Sequence, residues 1–319
     1  MSDGRWSRVG IDAQSVDAPL SRVAIFLVLV AGPTDDDLAT VREALGAVDD
    51  LVKTVGFRDL DGRLSCIAGI GSALWDRLAP GAPRPAELRP FAPIDGPAHR
   101  APSTPGDLLF HIRAERADLC FELERLLLGR LRGAITVADE VHAFRYFDAR
   151  DLLGFVDGTA FAGGSYVVVQ KYVHDLDAWN ALDTGTQEAI IGRTKADNIE
   201  LDDDAARPSH KSLATIDDGA GGELDILRDN MPFGRPAAGE FGTYFIGYAG
   251  RLWVIEQMLQ RMFLGEPPGR YDRILDFSTA LTGTTFFVPT NGLLQRLADP
   301  PAAAAARQPP SLGIGSLRG

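Results

Sequence analysis

Residues 108–147 read LLFHIRAERADLCFELERLLLGRLRGAITVADEVHAFRYF, and in them a strand, a helix and a strand follow one another. Residues 108–113 are a short apolar run carrying His111 and Arg113, of a length and composition that suit a buried strand. Leu119, Leu123, Leu126 and Leu127 recur at three- and four-residue intervals, which places them on one face of a helix. Residues 141–147 read as a strand again. The stretch before this one has the same grammar. Residues 22–30 read as a buried strand, Leu38, Val41, Leu45 and Val48 mark an amphipathic helix, and residues 64–69 read as the next strand. The order is strand, helix, strand, then strand, helix, strand.

The second half repeats that order without repeating its residues. Residues 165–172 form a strand pattern, and residues 175–191 are predicted helical throughout, with Asp175 as N-cap. Strands are predicted at 212–216, 223–227 and 243–248. Leu252, Ile255, Leu259, Met262 and Phe263 then line one helix face before a last strand at 284–289. This is the split βαβ arrangement, so the predicted class is α+β: two ferredoxin-like units with antiparallel sheets and helices on one face. The predicted division is residues 1–150, residues 151–298, and a flexible tail at 299–319. Prolines gather in residues 80–105, which predicts a long surface connection.

Composition narrows the function classes. A chain of 319 residues, 45% of them hydrophobic, has material for a full core. No run approaches the roughly 18 apolar residues needed to span a bilayer, and residues 1–22 lack the apolar stretch of a secretion signal. Cytoplasmic residence is the expectation. Cys66 and Cys120 are the only cysteines, which excludes a disulfide framework, a four-cysteine zinc site and covalent c-type haem attachment. A net charge of -12 argues against nucleic acid or an anionic membrane as partner.

Few residues stand out as carriers of chemistry. In residues 154–159, Gly-Phe-Val-Asp-Gly-Thr, Asp157 sits on a backbone free to turn sharply, so the loop is either an acid-presenting loop or an ordinary Asp-Gly turn. Of the five histidines, no pair has zinc spacing. His111 and His142 suit structural roles in strands, while His210 lies in a polar connection after Pro208 and Ser209. Arg228 and Asn230 are two apart, hence on one side of an extended chain, and face either one pocket or solvent at a strand end. Asp272 and Asp276 are either surface acids or orienters for a histidine. Trp179, Trp253, Tyr172 and Tyr248 are oxidisable, and aromatic residues of this kind are usually core.

Together, residues 145–148, 154–159 and 192–202, Ser209-His210, and residues 228–234, 239–248 and 276–289 resemble the dye-decolourising peroxidases, closest to the bacterial B-type branch, from about residue 21 to 290. The resemblance implies two ferredoxin-like domains of the dimeric α+β barrel type. It also implies non-covalent haem b on the second domain, with hydrogen peroxide oxidising dyes, phenolics and similar reductants. His210 matches the proximal iron ligand, Asp157 the distal acid, Arg228 the distal arginine and Asn230 its pocket neighbour. Gly158 and Thr159 belong to the haem-binding loop, and Asp272 matches the acid that partners the proximal histidine. Homo-oligomers are implied as well. The alternatives are a chlorite-dismutase-like activity, a haem-handling protein with little turnover, or a haem-free structural cargo. One departure stands out: Thr159 and Ala160 lead directly to residues 161–166, where the family continues through a Glu-Asn-Pro-like stretch and an acidic segment. Either haem access is more open here, or this sequence lacks a loop.

Residues 299–310 are rich in Ala and Pro, the composition of an extended linker. Ser311 to Gly319, SLGIGSLRG, then spaces Leu312, Ile314 and Leu317 between small residues. The segment resembles the cargo-loading peptide that sends such peroxidases into encapsulin shells. The implied partner is an encapsulin shell protein, and the implied location is a nanocompartment in the cytoplasm.

Overall fold

Ten strands hydrogen-bond into one antiparallel sheet, and their order uses a single permutation twice. The computed structural model describes residues 13–81, 83–147, 150–153, 155, 165–202 and 207–299. The strands are β1 (Val23–Ala31), β2 (Ser65–Ile70), β3 (Leu108–Ala114) and β4 (Ile135–Phe144) in the first half. The second half supplies β5 (Ser165–His174), β6 (Leu227–Arg228), β7 (Met231–Arg235), β8 (Glu240–Ala249), β9 (Ser278–Ala280) and β10 (Thr284–Val288).

Across the sheet the order is β6-β8-β5-β10-β2-β3-β1-β4, with β7 also on β8 and β9 also on β5. In the first half the fourth strand lies beside the first, then the third, then the second. The second half has the same arrangement when β6 and β7 are taken as one interrupted strand and β9 and β10 as another. This is the ferredoxin-like order, and the two halves join through unlike edges, where Phe287 of β10 pairs with Ile70 of β2. At the other end β7 approaches β4. No ladder joins them among the described residues, so the sheet curls without closing.

The helices are α1 (Asp35–Gly56), α2 (Ser72–Leu78), α3 (Ala117–Arg130), α4 (Leu176–Asn180), α5 (Thr184–Ile191), α6 (His210–Ala214), α7 (Leu252–Leu264) and α8 (Asn291–Ala298). Thr34 starts α1 with a reciprocal cap: its hydroxyl accepts from the Asp37 amide while the Asp37 carboxylate accepts from the Thr34 amide. Val41, Leu45 and Val48 of α1 and Leu119, Leu123 and Leu127 of α3 are buried in the main core against one sheet face. Ile255, Leu259 and Phe263 of α7 belong to the same core. The other face encloses a second cluster in which Phe26 stacks between His111 and Tyr244. Each fully buried aromatic or aliphatic side chain there contributes about 1.5–3 kcal/mol.

Four expectations are corrected in detail. Residues 175–191 are two helices, because α4 ends at Asn180 and Asp183 caps a new start, its carboxylate accepting from the Thr186 amide at 2.9 Å. Residues 212–216 are not a strand. Ser209 Oγ accepts from the Ser212 amide and nucleates α6, leaving only Ile216–Asp217 extended, paired with Glu223–Leu224. The strand predicted at 141–147 begins earlier, at Ile135, and ends at Phe144. The proline-rich connection is not confined to the surface, since Leu88, Phe91, Ile94 and Ala101 are buried in the main core. In each case local capping or tertiary burial outweighs the pattern in the sequence.

Candidate functional site

The short helix α6 exists to aim His210. Its N-cap, Ser209, is buried, and the preceding α5 ends in Gly192 with φ of 88°, a left-handed conformation that favours glycine. A Cβ at Gly192 would collide with Ser209 Oγ, so the glycine lets the end of α5 approach the start of α6. From that start His210 Nδ1 lies 2.6 Å from Asp272 Oδ2. Asp272 is fully buried while His210 keeps 33% of its side chain exposed. The carboxylate is itself held: Oδ1 accepts from the Ile274 amide at 3.1 Å, and the Asp272 amide donates to the Met262 carbonyl at the end of α7. With Nδ1 committed to Asp272, Nε2 lies on the far side of the ring.

His210 lines a cavity of about 420 Å3, within the range of small-molecule and cofactor sites. Arg228 and Asn230 line it too, and strand alternation explains why. Both are half-buried on the cavity side, while Asp229 between them turns to the opposite face and is 3% exposed. There Asp229 Oδ2 accepts from Arg113 Nη1 at 2.9 Å, across 116 residues of sequence. Burial pushes the Asp229 carboxyl up, and Arg113 pulls the other way. Arg228 Nη2 donates to the Ala214 carbonyl at 2.9 Å and lies 3.2 Å from Met258 Sδ, which ties the guanidinium to α6 and α7. Asn230 Oδ1 accepts from the Ile246 amide at 3.0 Å.

The rest of the lining has two characters. Met258, Leu259 and Met262 of α7 contribute apolar surface, and Arg193 and Lys211 contribute cations. Both cations bond Glu200, at 2.5 and 2.8 Å. A histidine with a buried carboxylate behind it, an apolar wall and nearby cations suits a flat, largely apolar cofactor that carries a metal and acidic groups.

His174 also lines the cavity, with Nδ1 at 2.8 Å from Ser278 Oγ and Nε2 at 2.8 Å from Thr243 Oγ1. Burial pushes its pKa down to about 4, against an unfolded value near 6.5. Between those pH values the unfolded chain binds a proton that the native chain does not. Stability therefore rises with pH through this window and is lost as pH falls through it. The contribution between pH 7 and 4.5 is roughly 2–3 kcal/mol, so His174→Asn should shrink the stability difference between those pH values by that amount. Urea unfolding of both proteins at each pH checks it. Equal pH dependence in the two proteins would refute it.

The structure thus brings His210, Asp272, Arg228 and Asn230 to one site and separates Asp276 from it. Asp276 Oδ1 lies 2.8 Å from His99 Nε2 and 3.0 Å from the Tyr271 hydroxyl. Asp157, Gly158 and Thr159 lie outside the described residues. Tyr172, Trp179 and Tyr248 are buried, and the Tyr172 hydroxyl donates to Gln170. Sequence reasoning gave no role to His174, Lys211 or Met258. Their signal was absent because each reaches the cavity from a different element.

Comparison with known proteins gives one answer over most of the chain. Residues 14–145 match the family description "Dyp-type peroxidase, N-terminal", and residues 160–292 match "Dyp-type peroxidase, C-terminal". The chain is 54% identical to a dye-decolorizing peroxidase of Mycolicibacterium paratuberculosis, over 97% of this chain and 93% of that one. It is 52% identical to one of Mycobacterium tuberculosis, over 97% and 98%. Among solved structures it is similar to DyPB from Rhodococcus jostii RHA1, with a TM-score of 0.85 at 56% identity, covering 90% of this chain and 99% of that one. Variants of the R. jostii protein are known in complex with heme. The cryo-EM structure of the encapsulated DyP-type peroxidase from Mycobacterium smegmatis also has a TM-score of 0.85, at 52% identity, covering 92% of this chain and 99% of that one.

Proposed function

This chain belongs to the Dyp-type peroxidase family and is a dye-decolourising peroxidase that depends on haem b, and from that premise we propose that its cavity seats the haem with His210 Nε2 on the iron. The observation that carries the proposal is the 2.6 Å pair between His210 and fully buried Asp272 at the cavity wall. A histidine whose second nitrogen is committed to a carboxylate is oriented and made more basic, as a ligand to an oxidising iron requires. Met258, Leu259 and Met262 offer the macrocycle an apolar wall. Arg193 and Lys211 offer cations to its carboxylates.

Bound haem supplies the iron and its electron chemistry with hydrogen peroxide. The side chains manage protons and charge. Asp157 takes the proton from one peroxide oxygen and returns it to the other, which is general acid–base work for a carboxylate on a glycine-flanked loop. Arg228 stays protonated at any working pH, so its guanidinium stabilises negative charge on the departing oxygen. Asn230, braced by the Ile246 amide, places an amide beside that charge. Removing one such preorganised donor typically costs about 100- to 1000-fold in turnover, so Arg228→Leu should lose peroxide-driven dye oxidation to that extent. Steady-state kinetics on haem-loaded protein test it. Wild-type kcat in the variant would remove Arg228 from the mechanism.

The working division is a first unit at residues 1–150, a haem-carrying unit at 151–298 and a tail at 299–319. The tail is the loading signal for an encapsulin shell in the cytoplasm, with Leu312, Ile314 and Leu317 as its apolar anchors in a groove. What supports this is the segment Ser311 to Gly319 together with the similarity to an encapsulated peroxidase. Assembly into homo-oligomers is part of the same reading. Deleting Ser311 to Gly319 should abolish co-assembly with the shell and leave dye oxidation unchanged. Co-expression with the shell protein, followed by gel filtration, decides it, and retained packaging would overturn the assignment.

A further inference from the structure

We propose that Glu124, Glu140 and His142 form a second metal site, separate from the haem cavity, for a divalent first-row transition cation of the zinc type. Glu140 and His142 are two apart on β4, so their side chains leave the same face of the strand. Glu124 reaches them from α3. One ligand atom from each of the three side chains falls in a group whose members all lie within 4.8 Å of one another. His142 Nε2 is 3.0 Å from Glu140 Oε1 and 3.7 Å from Glu124 Oε2. Ligand atoms around one tetrahedral zinc, at about 2.0–2.1 Å from the metal, are about 3.4 Å apart, so these separations bracket the value a shared cation imposes.

The second observation is Glu124 itself. Its side chain is only 6% exposed, yet Oε1 is buried without a hydrogen-bond partner, and Oε2 stands beyond hydrogen-bond reach of His142. A buried carboxylate in that condition is costly unless something compensates it. The Glu140 carboxylate beside it adds like charge. A cation between the three groups would supply the missing partner of Glu124 and cancel the repulsion from Glu140. The imidazole selects the metal class, because magnesium and calcium prefer all-oxygen sites while one nitrogen and two carboxylates suit zinc and its neighbours. His142 and Glu140 are largely exposed, so the site is open to exchange and has room for water as a fourth ligand. Bound there, the cation would staple α3 to β4, an edge strand of the sheet.

The test is zinc uptake by tag-free, haem-loaded protein, measured by equilibrium dialysis and elemental analysis for wild type, Glu124→Gln and His142→Ala. His142→Ala changes an exposed side chain, so it reports even if Glu124→Gln folds poorly. The expected result is one zinc per chain in wild type that is lost, or weakened at least tenfold, in both variants, with dye oxidation unchanged. Anomalous scattering from zinc-soaked crystals should place the ion on His142 Nε2. Equal uptake by all three proteins would overturn the proposal, as would a zinc peak elsewhere or calcium binding as tightly as zinc.

Discussion

His210→Ala is expected to lose the Soret band of haemin-supplemented protein, or to alter it grossly, and to lose dye oxidation by more than about 100-fold. Disturbing only the partner of a metal-bound histidine typically costs about 10- to 100-fold, and removing the ligand itself must cost more. Asp272→Asn supplies the graded comparison. It keeps a side-chain oxygen for the Ile274 amide but removes the charge that holds Nδ1–H, so it should retain haem and lose about 10- to 100-fold in turnover. The measurement is the absorption spectrum before and after one equivalent of hydrogen peroxide, with dye kinetics on the same samples. A normal Soret band in His210→Ala, shifting with peroxide as in wild type, would remove His210 as the ligand. Loss of haem from both variants alike would instead make the pair a packing feature.

Arg113→Leu is expected to cost about 3–5 kcal/mol, because it strands the buried Asp229 carboxylate. The pair is 2–3% exposed, too buried for solvent to take over the charge. Asp229 keeps lesser partners, with His111 Nε2 3.7 Å from Oδ2 and the Arg145 charge nearby, and burial already pushes its carboxyl up, so without Arg113 it takes a proton and the loss falls toward the lower figure. Adding Asp229→Leu should recover most of the stability, since an apolar pair of similar volume replaces an ion pair at little cost. Urea unfolding of the single and double variants checks both statements. A loss under about 1 kcal/mol in the single variant would mean that the pair is effectively solvated. The pair also matters to the site. Asp229 lies between Arg228 and Asn230, so Arg113 in the first half of the chain fixes the strand from which both reach the cavity in the second.

The buried strands and long amphipathic helices were legible because their periodicity is strong. Residues 23–31 and the α7 stripe of Ile255, Leu259 and Phe263 carry it plainly. The repeated strand order followed from those elements. What misled was short and local: Ser209 and Asp183 each start a helix through one side-chain hydrogen bond, which apolar patterning does not register. In the site, alternation alone put Arg228 and Asn230 on one side. The choice of Asp272 over Asp276 came only from a family resemblance, because the contact with His210 spans 62 residues. The Arg113–Asp229 pair spans 116 and has no local signature. The three donors offered to zinc were equally hidden, since Glu124 belongs to a helix whose pattern explains it as core.

Helix α8 bears on how the chain is made. β1 to β4 pair among themselves within residues 23–144, so that part of the sheet has all its strands before the second half is synthesised. It is not finished then. α8 packs on α1, and Arg42 of α1 donates to the carbonyls of Leu297 and Asp299, while Gln14 bonds the carbonyls of Ala68 and Pro289. A face of α1 is therefore covered by α8, which is translated more than 200 residues later. During synthesis the first half waits with that face exposed, and domains that expose apolar surface in this way are where aggregation competes with folding. A truncation just past residue 299 keeps the closure, whereas one that removes α8 reopens a surface more than 200 residues upstream in the sequence.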